Sequence, residues 1–215
     1  MAQFCNWKIW VRLTAAIWLV LVVALAGMIF WSSNANRDTA IRQAKDFSQS
    51  IHEMTMAGLT GMMITGTVGQ REVFLDQIKQ LSIIKDLHVA RSEAVAKLFG
   101  PDTKEKRELD GVEKQVMASG TPYISVERQG GNAYLHVVTP TKAAKNYLGK
   151  DCIECHQVPE GTVLGAISMK ISLDQVNAAV SGQRLKSLLA ALVLSLPLLA
   201  FIYLFISNVV TRPLE

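Results

Sequence analysis

The sequence contains only three cysteines, Cys5, Cys152 and Cys155, and it has no long run of basic residues. With three cysteines, one chain cannot supply a zinc site made of four thiolates. The formal net charge of +4 is mild, and without a basic run nothing in the sequence supports nucleic-acid binding.

Aromatic residues are also scarce, at 7%, although half of the residues are hydrophobic and the mean hydropathy is +0.24. This composition is too apolar for an ordinary soluble domain and too polar for a complete membrane bundle. It predicts membrane segments attached to a water-facing body.

Charged residues are missing from two stretches of the chain, 13–31 and 188–206. At about 1.5 Å per helical residue, each stretch nearly spans a hydrocarbon core of about 30 Å. The first could instead be a cleaved signal peptide, but it is longer than the apolar region of such peptides and favours an uncleaved anchor. Basic residues near the start place 1–12 in the cytoplasm by the positive-inside rule.

The sequence therefore predicts two membrane helices around an exported central region. The first helix covers 13–31 and the second covers 187–207, where membrane helices tolerate a proline such as Pro197. Residues 32–186 are expected on the periplasmic side of a bacterial inner membrane, and 208–215 return to the cytoplasm.

The exported region begins with a long predicted helix, 32–65, which contains no proline. One apolar stripe on it pairs most simply with another helix, so we expect a homodimer. The core that follows, 67–173, alternates short helices with strand-like segments. Helices are predicted at 72–81, 94–99 and 104–118, and strands at 83–91, 123–128, 133–139 and 163–173. This order predicts an α+β fold with an antiparallel sheet, including a hairpin across Gly130 and Gly131.

The pattern C-x-x-C-H occurs once, as Cys152, Cys155 and His156, in a predicted loop over 141–162. It is the pattern that attaches one c-type haem covalently, through two thioether bonds, and places the histidine as the proximal iron ligand. A redox dithiol, a disulfide or half of a zinc site are the alternatives. The thioredoxin-like alternative needs a βαβ context that the sequence lacks. Haem c is attached outside the bacterial cytoplasm, which agrees with the predicted export.

The residues alone do not identify the sixth iron ligand. Methionine at helical spacing is usually core filler, and water or an empty position is also possible. The candidate side chains are Met54, Met56, Met62, Met63, Met169, His52, His88 and His136.

Several motifs together resemble a known family. They are the sequence MMITG at 62–66, LHVARSEAVAKLFG at 87–100, and C-x-x-C-H followed by 161–167. This arrangement resembles the periplasmic c-type haem sensor domains of bacterial methyl-accepting chemotaxis proteins and related transmembrane signalling receptors. The last residues, 212–214, are similar to the start of a HAMP linker, which implies a cytoplasmic signalling module downstream.

The resemblance implies a PAS-like fold, dimerisation, and an iron ligand near the end of the long helix. By position in the motif that ligand is Met63, with Met62 or Met56 as alternatives. Possible haem-pocket residues are Tyr134, Tyr147, Arg91, Arg128 and Lys145. Each of these has an ordinary alternative role as a packed ring or a solvated charge.

Two functions are consistent with the sequence. The first is a membrane-bound haem sensor that detects redox state or a small haem ligand in the periplasm and signals through the second membrane helix. The alternative is a membrane-anchored electron-transfer cytochrome. An enzyme acting on peroxide or a nitrogen oxide would need a distal acid-base residue that nothing specifies, so we expect no enzymatic activity.

Overall fold

The computed structural model describes residues 9–100, 107–205 and 208. The chain divides into two compact units, one made of Met1–Thr39 and Val176–Glu215 and the other of Ala40–Gln175. Residues 1–8 of the predicted cytoplasmic start lie outside the described part of the chain. Residues 209–215 of the HAMP-like end also lie outside it.

Two long helices carry the predicted membrane segments. Helix α1 spans Ile9–Ile64 without interruption, and helix α6 spans Asp174–Phe205 with Pro197 inside it. Both helices are long and apolar enough to cross a membrane, with a mean hydropathy of 2.6 in their most apolar windows. Inside this unit, Arg184 Nε donates a hydrogen bond to Ser33 Oγ and joins the two helices.

The unit over Ala40–Gln175 confirms the expected α+β class with a four-stranded antiparallel sheet. After α1 and a short 3-10 turn at Val68–Gln70, its elements are α2 (Arg71–Lys79), β1 (Ile84–Arg91), α3 (Glu93–Phe99), α4 (Gly111–Ser119), β2 (Tyr123–Gln129), β3 (Asn132–Lys142), α5 (Cys152–His156) and β4 (Val163–Ser172). The strand order is β1-β4-β3-β2, and every pair is antiparallel. The last strand in the chain therefore lies in the middle of the sheet and leads directly into α6.

Alternate residues of the two central strands form the core. Leu135, Ile167, Met169 and Ile171 are all fully buried. Because side chains alternate between the two faces of a strand, these residues share one face. Met169, a candidate iron ligand, occupies a core position there, opposite Val137 in the register.

The structure corrects the sequence prediction at two places. The charged helix predicted over 104–118 begins only at Gly111, because Asp110 caps it by accepting a hydrogen bond from Glu113 N in a capping box. Residues 101–106 lie outside the described part. The haem motif, predicted in a loop, forms the one-turn helix α5 instead.

A buried carboxylate fixes α4 to the sheet. Glu113 is fully buried, accepts a hydrogen bond from His88 Nδ1 of β1 at 2.8 Å, and lies 3.4 Å from an Arg107 nitrogen. Burial alone would raise the pKa of Glu113. The bonds from His88 and the Asp110 amide, with the charges of His88 and Arg107, outweigh burial and lower the pKa to about 2.

We expect this carboxylate to make the fold acid-sensitive. Its pKa is about 2 in the folded chain and 4.5 for an unperturbed glutamate, so its stabilisation is present above about pH 4.5 and is lost as the pH falls towards 2. The contribution is about 3 kcal/mol at neutral pH. Glu113→Gln should remove this part of the pH dependence in denaturant unfolding followed by circular dichroism. Equal pH slopes for the variant and the wild type would contradict the assignment.

Candidate functional site

The three side chains of the C-x-x-C-H pattern lie on one face of α5. In a helix that turns by about 100° per residue, Cys152, Cys155 and His156 fall within an arc of about 100°. Neither cysteine forms a disulfide. One short helix thus carries two free thiols and an imidazole within less than a third of its circumference.

Local hydrogen bonds explain why α5 forms. The Asp151 carboxylate accepts from the amides of Ile153 at 2.8 Å and Glu154 at 3.2 Å, which caps the first turn. The helix ends at Gln157, whose φ of 49° is in the left-handed region. The Cys152 amide donates to the Ala144 carbonyl at 3.0 Å and so ties the start of α5 to the segment after β3.

Apolar packing holds α5 against the body of the domain. Its inward-facing partners form a small core of Val95 from α3, Ala143 after β3 and Leu164 from β4. The residues of the motif segment that pack on this core are Cys152, Ile153 and Val158. Cys152 and Ile153 therefore anchor α5 on the body of the domain, whereas Cys155 is exposed.

The imidazole of His156 is poised as a neutral ligand. Burial lowers the pKa of His156, which keeps the ring uncharged at neutral pH. Its Nδ1 is buried and has no hydrogen-bond partner among the residues that the structure describes. The Phe99 ring meets the imidazole edge to face, with centroids 5.4 Å apart and planes at 80°. A metal-binding histidine must be neutral, so this environment suits ligation.

These observations fit a covalently bound haem. Phe99, which touches His156, is 59% exposed, and Leu148, four residues before Cys152, is 51% exposed. Exposed apolar side chains beside a reactive motif are what a large flat cofactor would cover. Within 9–100, 107–205 and 208, no group of three or more His, Cys, Asp and Glu side chains gathers to hold a bare metal ion.

Helix α1 contacts the chain segment that leads into the motif. The hydroxyl of Tyr147 lies 3.2 Å from His52 Nε2, and His52 is only 4% exposed. Burial, with the charges of Glu53 and Cys152, raises the pKa of Tyr147, so its hydroxyl stays protonated and is hydrogen-bonded to the His52 ring. One turn further along α1, Met56 Sδ accepts a hydrogen bond from Thr141 Oγ1 at 3.5 Å. His52 and Met56 therefore both contact the segment 141–147, which precedes α5.

The methionines at the end of α1 are more open. Met63 is 45% exposed and Met62 is half-buried, whereas Leu59, one turn earlier on the stripe of Met63, is 3% exposed. Of the three candidate distal methionines, Met56 is the one that contacts the segment before α5. Ligation by Met63, Met62 or Met56 stays a prediction.

Arg91 lies at the same end of the sheet as α5. It ends β1 and is paired with Gly165 near the start of β4. At Gly165 a Cβ would meet the Ala90 carbonyl oxygen at 2.3 Å, so the close approach of these strands requires glycine. Lys145 is exposed in the segment before α5. Arg91 is therefore at the end of the sheet where β4 follows α5, and Lys145 is seven residues before Cys152.

Tyr134 and Arg128 lie at the other end of the sheet. Tyr134 is paired with Ser172 at the end of β4, and Arg128 is paired with Ala133 at the start of β3. Eight residues of strand separate Tyr134 from the end of β3, which is about 26 Å. The structure does not bring these two predicted pocket residues together with the motif.

The other candidate histidine ligands are engaged elsewhere. His136 is 3% exposed, with Nδ1 2.9 Å from Glu127 and Nε2 3.4 Å from Ser168. His88 donates to Glu113, as described above. Sequence reasoning did not identify Phe99 as a neighbour of His156, although Phe99 belongs to the 87–100 motif that carries the family resemblance.

No protein-family model matches the chain, and no curated protein matches it.

Proposed function

We propose that the chain is a membrane-bound c-type haem sensor of the kind found in bacterial chemoreceptors. Cys152 and Cys155 would hold one haem through thioether bonds, and His156 would be the proximal iron ligand. The observation that carries the proposal is the common face of these three side chains on the capped helix α5. When bound, the haem supplies an iron that changes its oxidation state or takes up a small ligand.

The chain's own residues prepare this site. Asp151 caps the first turn of α5, the helix that carries both thiols. The burial that lowers the pKa of His156 keeps its imidazole unprotonated. Phe99 limits the rotation of the imidazole by contacting its ring. Arg91 and Lys145 lie at the same end of the sheet and are the proposed partners of the haem carboxylates.

The remaining proposals follow from the sequence and the fold class. The antiparallel sheet and long N-terminal helix are compatible with a PAS-like domain. The two apolar helices favour an inner-membrane protein with the central unit in the periplasm. We propose a homodimer that signals to a cytoplasmic module and has no enzymatic role.

A sensor is favoured over a simple electron carrier by the contacts of α1. The Tyr147–His52 and Thr141–Met56 contacts attach the segment 141–147, just before α5, to helix α1. The same helix also contains the first candidate membrane span. A ligand or redox change that moved this segment would therefore act on α1, provided that α1 has two arrangements of similar free energy. The electron-transfer alternative draws support from the exposed Cys155, because a haem edge at the surface is accessible to a redox partner.

Hydrogen exchange of the full chain in detergent tests the sensor. We expect the amides of 48–60 in α1 to exchange at different rates in the oxidised and reduced protein. Tyr147→Phe should keep the haem but shrink this difference about fivefold, because it removes one hydrogen bond of about 1 kcal/mol. Tyr123→Phe, which removes a hydroxyl bonded to Glu127 instead, is the matched control.

The sensor and the electron carrier predict opposite hydrogen-exchange results for the wild-type protein. Exchange rates in α1 that are identical in both oxidation states, in a protein that carries haem, would contradict sensing through α1 and support electron transfer.

A further inference from the structure

A cavity of about 340 Å³ opens at the end of the sheet opposite α5. Lys85 of β1, Tyr134 of β3 and Lys170 of β4 line it, together with Gln129 and Asn132 at the β2–β3 hairpin. Its volume is at the lower end of the range for small-molecule sites. Tyr134, predicted from the sequence as a haem-pocket residue, belongs to this cavity.

One of the two lysines that line the cavity, Lys170, has an aromatic ring as its partner. Lys170 Nζ lies 5.2 Å from the centroid of the Tyr134 ring. The carboxylate of Asp86, its cross-strand neighbour, is bound by Arg107 at 2.6 Å. Across the described part of the chain, Lys170 forms no ion pair with a carboxylate. A half-buried ammonium without a counter-ion attracts an anion.

The nearby acid Glu127 is also occupied. Tyr134 donates to Glu127 Oε2 at 2.9 Å, and His136 and Tyr123 bond to Oε1 at 2.9 and 3.2 Å. Because the Glu127 carboxylate is bound by these three partners, it does not act as the counter-ion of Lys170. Its bond to the Tyr134 hydroxyl holds the ring in place beneath the ammonium.

Other residues that line the cavity can accept hydrogen bonds. Asp174, the first residue of α6, accepts from the Ser172 hydroxyl through Oδ2 at 2.8 Å. The side-chain amides of Gln129 and Asn132 can both donate and accept. A ligand with an anionic end and polar groups elsewhere would match both the lysines and these polar side chains.

We propose that this cavity binds a small organic carboxylate, with the carboxylate group on Lys170 and Lys85 and the rest of the molecule between the hairpin amides and Asp174. Such a ligand would contact the residue at which α6 begins. The site is separate from α5, and the proposal does not depend on haem binding.

Thermal unfolding of the full chain in detergent, with succinate, L-serine or ethanolamine at equal ionic strength, tests the proposal. At least one of the two carboxylates should raise Tm with a Kd below about 1 mM, and ethanolamine, which lacks a carboxylate, should not. Lys170→Gln and the exposed Lys85→Gln should each weaken binding about tenfold. Lys114→Gln, at an exposed position of α4 that does not line the cavity, should bind like the wild type.

Three results would overturn the proposal: no shift with either carboxylate, an equal shift with ethanolamine, or unchanged affinity in both Lys170→Gln and Lys85→Gln. Repeating the titration with Cys152→Ala/Cys155→Ala separates the two sites. Carboxylate affinity should persist there, so a failure of the haem proposal would leave this result standing.

Discussion

Replacing Cys152 and Cys155 together with alanine should abolish covalent haem attachment. Thioether bonds need both thiols to be free, and Cys152 and Cys155 are both free and three residues apart on α5. We expect haem that stays with the wild-type polypeptide during denaturing electrophoresis to fall to background in the double variant. The chain should be produced in bacteria that mature c-type cytochromes.

The third cysteine supplies the control for this experiment. Cys5→Ala leaves the C-x-x-C-H pattern intact and should retain haem at the wild-type level. Undiminished covalent haem in the double variant, or equal loss in Cys5→Ala, would contradict the assignment of the thioether sites.

Replacing Met63 with alanine should alter the haem spectrum and its reduction potential. A thioether ligand stabilises the reduced iron, so its loss should lower the potential by on the order of 100 mV, within the roughly 0.8 V that axial ligands span. The measurement is a spectroelectrochemical titration of the full chain in detergent. The protein should also gain affinity for CO, because the sixth position would be open.

Met56→Ala is the informative comparison for this prediction. Met56 contacts Thr141 in the segment that precedes α5, whereas Met63 is 45% exposed near the end of α1. If Met63 is the ligand, Met56→Ala should change the potential far less than Met63→Ala does. A spectrum unaltered by Met63→Ala in both oxidation states would exclude Met63, and a large change in Met56→Ala alone would assign Met56 instead.

Much of the fold was predictable because its signals are local. The two uncharged stretches, the alternating strands and the glycine turn at 130–131 each indicate an element without knowledge of distant contacts. The sheet class followed from their order along the chain. The helical state of the motif was missed because Asp151, an ordinary loop residue by composition, acts as a helix cap only in this geometry.

The surroundings of the site were less predictable, because they depend on strand register. Arg91 and Tyr134 have equally suitable chemistry for a haem pocket. The pairing of Arg91 with Gly165 and of Tyr134 with Ser172 places them at opposite ends of the sheet. Likewise, the contact between Tyr147 and His52 joins residues 95 positions apart, a separation that periodicity cannot reveal.

The central claim is that this chain carries one covalent haem on α5. It is tested most directly by extracting the purified wild-type protein with acidified acetone and recording its pyridine haemochrome spectrum. We predict that the haem remains with the polypeptide at about one per chain and gives the spectrum of a porphyrin with two saturated vinyl groups. Haem that passes entirely into the acetone, or a chain without haem after production with an active maturation system, would contradict the account.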